Sequence, residues 1–182
     1  MLHHRIIDTV GNPKIGEISM LGFGLKKRTA EAIRRGVRAS LTGAFFHRTR
    51  VQEFGLNDEG SAWLFTEAYA HQFYVLGCIT THACKNERWA TFEFFAKSAV
   101  DGIRESERTG GMNTEQLTPI LLKRYSDFEA LGSEARLRGE HYRSSAILVA
   151  ERDESADIES ITRALSSSTE RYMVEAGKMF GI

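Results

Sequence analysis

The chain has 182 residues, of which 42% are hydrophobic and 26% are charged, and it contains only 2 prolines. Such a composition argues against a disordered chain and against a sandwich of short strands, and the length is sufficient for a core that does not depend on disulfides. The formal charge is zero, but residues 1–52 hold ten Lys and Arg against three Asp and Glu, and the remainder is correspondingly acidic. The totals favour one helix-rich domain over residues 1–182, with an unevenly charged surface.

The cysteines indicate a reducing compartment. Cys78 and Cys84 are six positions apart, so one helix would point their side chains in different directions and prevent a disulfide within it. No charged and apolar leader is recognisable at the N-terminus, and we therefore expect a cytoplasmic location.

Residues 1–23 are predicted to form a short arm ahead of a helical bundle over residues 24–182. Two runs rich in β-branched residues, 5–10 and 15–21, flank a Gly-Asn-Pro sequence, a pattern typical of a β-hairpin. A two-stranded hairpin is stable only when it packs against another surface. We therefore expect the arm to contact the bundle or a partner.

The rest of the chain predicts an all-α fold of about five helices in a mostly antiparallel bundle, because apolar residues recur at helical spacing. The first helix is expected from residue 25 to about residue 54, where Gly55 would end it in a left-handed conformation. The second covers residues 61–83 and is apolar on nearly every side, which is typical of a helix buried all round. A break near residues 84–87 separates it from a third helix over residues 89–108.

A heptad pattern over residues 121–149 predicts one long fourth helix, with Pro119 in its first turn. The middle of this pattern carries only small residues: Gly132, Ala135 and Gly139. We expect the aromatic helices to pack against these small residues. A fifth helix is expected after Asp153.

Four polar residues of the second helix, Glu67, His71, Cys78 and His82, lie on one narrow stripe of a helical wheel. Polar residues also interrupt this stretch too often for a membrane span. Each of the pairs Glu67/His71 and Cys78/His82 has the i, i+4 spacing that two ligands of one metal ion require. The stripe is therefore a candidate site for a metal or small-molecule cofactor, although neither is identified, and the alternative is a polar seam of structural hydrogen bonds.

The residues Glu134 and His141 would be the partners that a two-metal centre needs on a second helix. The heptad pattern places both on the outer side of that helix, which argues against such a centre. Arg136 and His141 share the Arg-x4-His spacing of a class of all-helical ribonucleases. Because Leu137 stands where a polar residue is usual, the spacing does not assign that family.

The first helix has a basic face: Lys27, Arg34, Arg35 and Arg38. Such a face is suited to the phosphates of nucleic acid, to an anionic membrane surface, or to an acidic protein surface in the same chain or in another subunit. Together with the arm and the abundant aromatic helix faces, it predicts a non-enzymatic interaction protein that self-associates or docks on a protein partner. The alternatives are a helical bundle that binds a metal or small-molecule cofactor at the polar stripe, either as a binding protein or as an enzyme, and nucleic-acid binding through the first helix.

Overall fold

The computed structural model describes residues 15–42, 45–46, 51–107 and 114–182. Within these ranges it contains no strand and seven helices: α1 (Ile15–Leu41), α2 (Asp58–Ala83), α3 (Phe92–Glu107), α4 (Thr114–Ala130), α5 (Gly132–Leu137), α6 (Glu140–Ala150) and α7 (Ile158–Phe180). The all-α prediction is confirmed. The described residues form seven helices rather than about five. Their arrangement, around the central helix α2, also differs in detail from the predicted antiparallel bundle.

Helix α2 lies at the centre of the fold. Its first turn is capped by Asn57, whose side-chain oxygen accepts a hydrogen bond from the Gly60 N–H at 2.8 Å. Most residues from Leu64 to Thr80 are buried, because α2 packs against α1, α3, α4, α6 and α7. The predicted burial of this segment and the predicted break after Ala83 are both confirmed.

Two clusters of buried apolar side chains form the core on either side of α2. The larger cluster joins α2 to α1, α3, α4 and α7 through residues that include Ile33, Phe73, Phe95, Leu121 and Tyr172. The smaller cluster joins α2 to α6 and α7 through residues that include Phe46, Leu64, Val149, Ile161 and Leu165. None of the helices in the described part of the chain combines the length and the hydropathy needed to cross a membrane.

The N-terminal region differs from its prediction. Residues 15–21, expected as the second strand of a hairpin, belong to α1, and residues 5–10 lie outside the described part of the chain. Within residues 15–25 the apolar residues Ile15, Ile18, Leu21 and Leu25 recur every three or four positions, which is a helical spacing. Helix α1 also ends at Leu41, well before residue 54, although Gly55 adopts the expected positive φ of 63°.

The predicted long fourth helix is also wrong. Gly132 and Gly139 have φ values of 71° and 73°, a left-handed conformation that interrupts an α-helix and that glycine adopts without steric cost. Three helices, α4, α5 and α6, therefore replace the single heptad seam. Pro119 lies inside α4 rather than in a first turn.

Candidate functional site

The first half of the polar stripe lies in a buried network that connects α2, α4 and α6. Arg124 Nε and Nη2 donate hydrogen bonds to Glu67 Oε2 at 3.0 and 2.8 Å, and Ser145 Oγ donates to the same oxygen at 2.5 Å. The Glu67 and Ser145 side chains are fully buried. The ion pair is therefore shielded from water. Its two charges compensate each other, the serine hydroxyl adds a hydrogen bond to the carboxylate, and Arg124 also contacts Asp127 at 3.1 Å.

The network determines which nitrogen of His71 carries a proton. His71 Nε2 lies 2.9 Å from Ser145 Oγ, whose single hydrogen points to Glu67. Nε2 must therefore donate to the serine, so Nδ1 of the neutral ring carries no hydrogen. Burial, the nearby His141 and then Arg124 all lower the pKa of His71 well below its ordinary value, since a protonated ring would be an uncompensated buried charge.

Aromatic rings and a second histidine surround His71. Its ring stacks on Phe128 with centroids 4.5 Å apart, and the ring of His141 lies 5.3 Å away. His141 was expected on the outer side of its helix, but it is 8% exposed, because the break at Gly139 changes the direction of α6. Burial and then Arg136 lower the pKa of His141 to about 4. Glu134 faces outward as expected.

The network has almost no access to solvent in this geometry. Ser145 is fully buried and donates its hydrogen to Glu67 Oε2, which also accepts two hydrogen bonds from Arg124. Glu67 Oε1 and His71 Nδ1 have no hydrogen-bond partner in the described residues. Those residues contain no group of three or more His, Cys, Asp and Glu side chains that could hold a metal ion. The metal site at Glu67 and His71 stays a prediction.

The second half of the stripe lies elsewhere. Cys78 and His82 are exposed and line an apolar groove of about 620 Å³ between the C-terminal parts of α2 and α7. The α7 side of the groove is formed by Met173, Val174, Gly177 and Lys178, with Ile182 beyond the helix end. The structure thus separates the two predicted ligand pairs into a buried network and an open groove.

The basic face of α1 is also divided, into arginines that form ion pairs inside the protein and exposed cations that form none within the described part of the chain. Arg34 pairs with Glu31 at 2.6 Å and with Glu105 of α3 at 3.6 Å. Arg38 pairs with the same two carboxylates at 3.4 and 3.0 Å. These contacts compensate part of the basic charge inside the protein. Lys27 and Arg35 are exposed and form no ion pair with any residue that the structure describes.

Sequence reasoning did not identify Arg124 and Ser145, although both are central to the network. A signal for Arg124 does exist. It lies in register with the buried residues Leu117, Leu121 and Phe128 of α4, so a cation interrupts an otherwise apolar stripe and requires a buried partner. Ser145 carries no comparable signal, because serine occurs on both the buried and the exposed side of helices.

Comparison with known protein families, with curated proteins and with solved structures gives no significant match.

Proposed function

We propose that this chain is a non-enzymatic helical assembly protein that forms a homodimer through α7. Two copies would pack their α7 helices antiparallel, beside the apolar groove that α7 forms with α2. The observation that carries the proposal is the charge pattern of α7, in which opposite charges stand at equal distances on either side of an exposed apolar centre.

The apolar centre of this surface is Val174. Its side chain is 57% exposed, and the neighbouring Met173 is 48% exposed. Both border the groove that Ile79 and Cys78 of α2 complete. A continuous exposed apolar surface of this kind is a common feature of protein interfaces, and full burial of one such side chain stabilises an association by about 1.5–3 kcal/mol before the entropy of association is subtracted.

The charges around Val174 select a second copy as the occupant. Glu170 lies four residues before Val174 and Lys178 lies four residues after it, which places all three on one side of the helix. An antiparallel copy related by a two-fold axis at Val174 would bring Glu170 opposite Lys178 of the partner subunit, and the symmetry would repeat this pair. A self-complementary surface is the requirement for a two-fold dimer.

Small residues at the ends of the same surface favour close approach of the two helices. Ser167 and Gly181 stand seven residues before and after Val174, and both are exposed. The local contacts of the charged residues do not oppose the pairing. Lys178 contacts Glu175 at 2.5 Å, and Glu170 accepts a hydrogen bond from Ser166 at 3.2 Å, but exposed pairs of this kind contribute little and exchange readily.

The size of the protein in solution tests the proposal. Light scattering after size-exclusion chromatography, together with native mass spectrometry, should give twice the mass of a 20.5 kDa chain. Val174→Asp should convert the dimer to a monomer, since two carboxylates would be buried at the axis. Leu137→Asp is the matched control, because Leu137 is 88% exposed on α5 and should leave the dimer intact.

Charge reversal tests the antiparallel pairing itself. E170K or K178E alone should weaken the dimer, because each places like charges opposite each other twice. The double variant E170K/K178E should restore it, and a mixture of the two single variants should form a heterodimer that neither forms with itself. A monomeric wild-type protein, or a dimer that Val174→Asp leaves unchanged, would remove the proposal.

A further inference from the structure

We infer that the cavity between the middle of α1 and the end of α7 is a binding site for a compact, multiply phosphorylated molecule. The cavity has a volume of about 420 Å³. Four cationic side chains line it: Lys27, Arg28, Arg34 and Arg35. The site is independent of the proposed dimer, because Met179, which α7 contributes to the cavity, lies about 140° around the helix from Val174.

The charge balance of the cavity favours an anion. Glu31 is the carboxylate among its lining residues, and Arg34 already engages this group at 2.6 Å. Lys27, Arg28 and Arg35 have no carboxylate partner in the described part of the chain. Three uncompensated cations around one concavity repel each other in the free protein, and a bound polyanion relieves that repulsion.

The positions of the cations suit phosphate groups. Lys27 and Arg35 stand four residues before and after Glu31, and Arg28 stands seven residues before Arg35, so their side chains project from one side of α1. A guanidinium donates two parallel hydrogen bonds to a phosphate, and an ammonium group adds a point charge. Arg34 is held in place by Glu31 and by Glu105 at 3.6 Å, which fixes one wall of the cavity before a ligand arrives.

The shape of the site distinguishes a compact ligand from a nucleic-acid backbone. A backbone is tracked by cations distributed along an extended groove, whereas these four side chains surround one cavity. Beyond them Arg38 is paired with Glu31 and Glu105 at 3.4 and 3.0 Å, so the basic face does not continue along α1. Ala32 and Met179 supply apolar lining, which suits the organic part of a phosphorylated metabolite or of a lipid headgroup.

Isothermal titration with inorganic tripolyphosphate at low salt tests the site. We expect saturable binding by the wild-type protein at one site per chain. Arg28→Gln/Arg35→Gln should weaken it by about tenfold or more, as expected for two charged hydrogen-bonding groups. The matched control is Arg88→Gln/Arg104→Gln, which removes two exposed arginines outside the cavity and should bind as the wild-type protein does.

Two further probes identify the source of the phosphate groups. Vesicles that contain a phosphorylated inositol lipid should bind with the same sensitivity to Arg28→Gln/Arg35→Gln if the natural ligand is a headgroup, and they should not bind if it is a soluble molecule. A single-stranded oligonucleotide should bind more weakly than tripolyphosphate. The inference is overturned if tripolyphosphate does not bind, if both double variants bind equally, or if only the oligonucleotide binds.

Discussion

The two halves of the polar stripe on α2 carry similar residues in very different surroundings. Glu67 and His71, in the first half of the stripe, are almost completely buried and share Ser145 as a hydrogen-bonding partner. Cys78 and His82, in the second half, are exposed at an apolar groove. Both pairs have the same spacing and lie on the same stripe. The packing of α4 and α6, rather than the stripe itself, therefore determines which half is buried and which half remains available for contacts.

The largest expected effect is at the buried end. Glu67→Ala should lower the free energy of unfolding by about 3 kcal/mol, the lower end of the range for breaking a buried ion pair, because Arg124 loses its buried carboxylate and keeps only Asp127 at 3.1 Å. Urea denaturation followed by circular dichroism measures the change. Glu134→Ala removes a carboxylate with an 86% exposed side chain and should change stability by less than about 0.5 kcal/mol. Equal effects of the two substitutions would contradict the structural role of the network.

Acidification should also act on the buried end. The pKa of His71 lies well below its ordinary value of 6.5 and that of His141 is about 4, so between about pH 4 and 6.5 the unfolded chain binds more protons than the folded one. Stability should therefore fall as the pH decreases through this window, by about 1.4 kcal/mol per pH unit for each histidine. Urea denaturation at pH 7 and pH 5.5 should differ by about 2–3 kcal/mol.

A substitution separates this effect from other titrating groups. His141→Asn should remove about half of the difference between pH 7 and pH 5.5, because one of the two neutral histidines is lost. His82→Asn is the matched control, since this histidine is exposed at the groove and lies outside the buried network. A stability that does not vary between the two pH values would contradict the neutral state of the buried rings.

The smallest expected effect is at the groove end. Cys78→Ser and His82→Ala should each change the free energy of unfolding by less than about 0.5 kcal/mol, because neither side chain fills the core. The same denaturation measurement checks this. A decrease in the free energy of unfolding above about 2 kcal/mol at either position would show that the groove stabilises the fold. The contrast between the two halves of the polar stripe would then disappear.

Local sequence signals predicted the parts of the fold that local physics determines. The continuous apolar character of α2 and the break after Ala83 both depend on neighbouring residues. The heptad seam failed because a periodic pattern does not reveal that Gly132 and Gly139 adopt positive φ.

The candidate site was predicted in part for a similar reason. The sequence indicated Glu67 and His71 because they interrupt an apolar helix, and in the structure both contact Ser145. Their partners Arg124 and Ser145 belong to helices whose packing the sequence does not determine on its own. Hydrogen bonds between distant segments depend on which helices meet and in which rotation, and a single sequence contains little information on either.

The positions of Glu67's partners in the chain impose an order on how the protein folds during its synthesis. Arg124 lies 57 residues and Ser145 lies 78 residues after Glu67. When α2 leaves the ribosome, its carboxylate has neither partner, so the helix cannot yet enter a dry core. The central helix of the fold must therefore wait for more than half of the later chain to be translated before its own packing is complete.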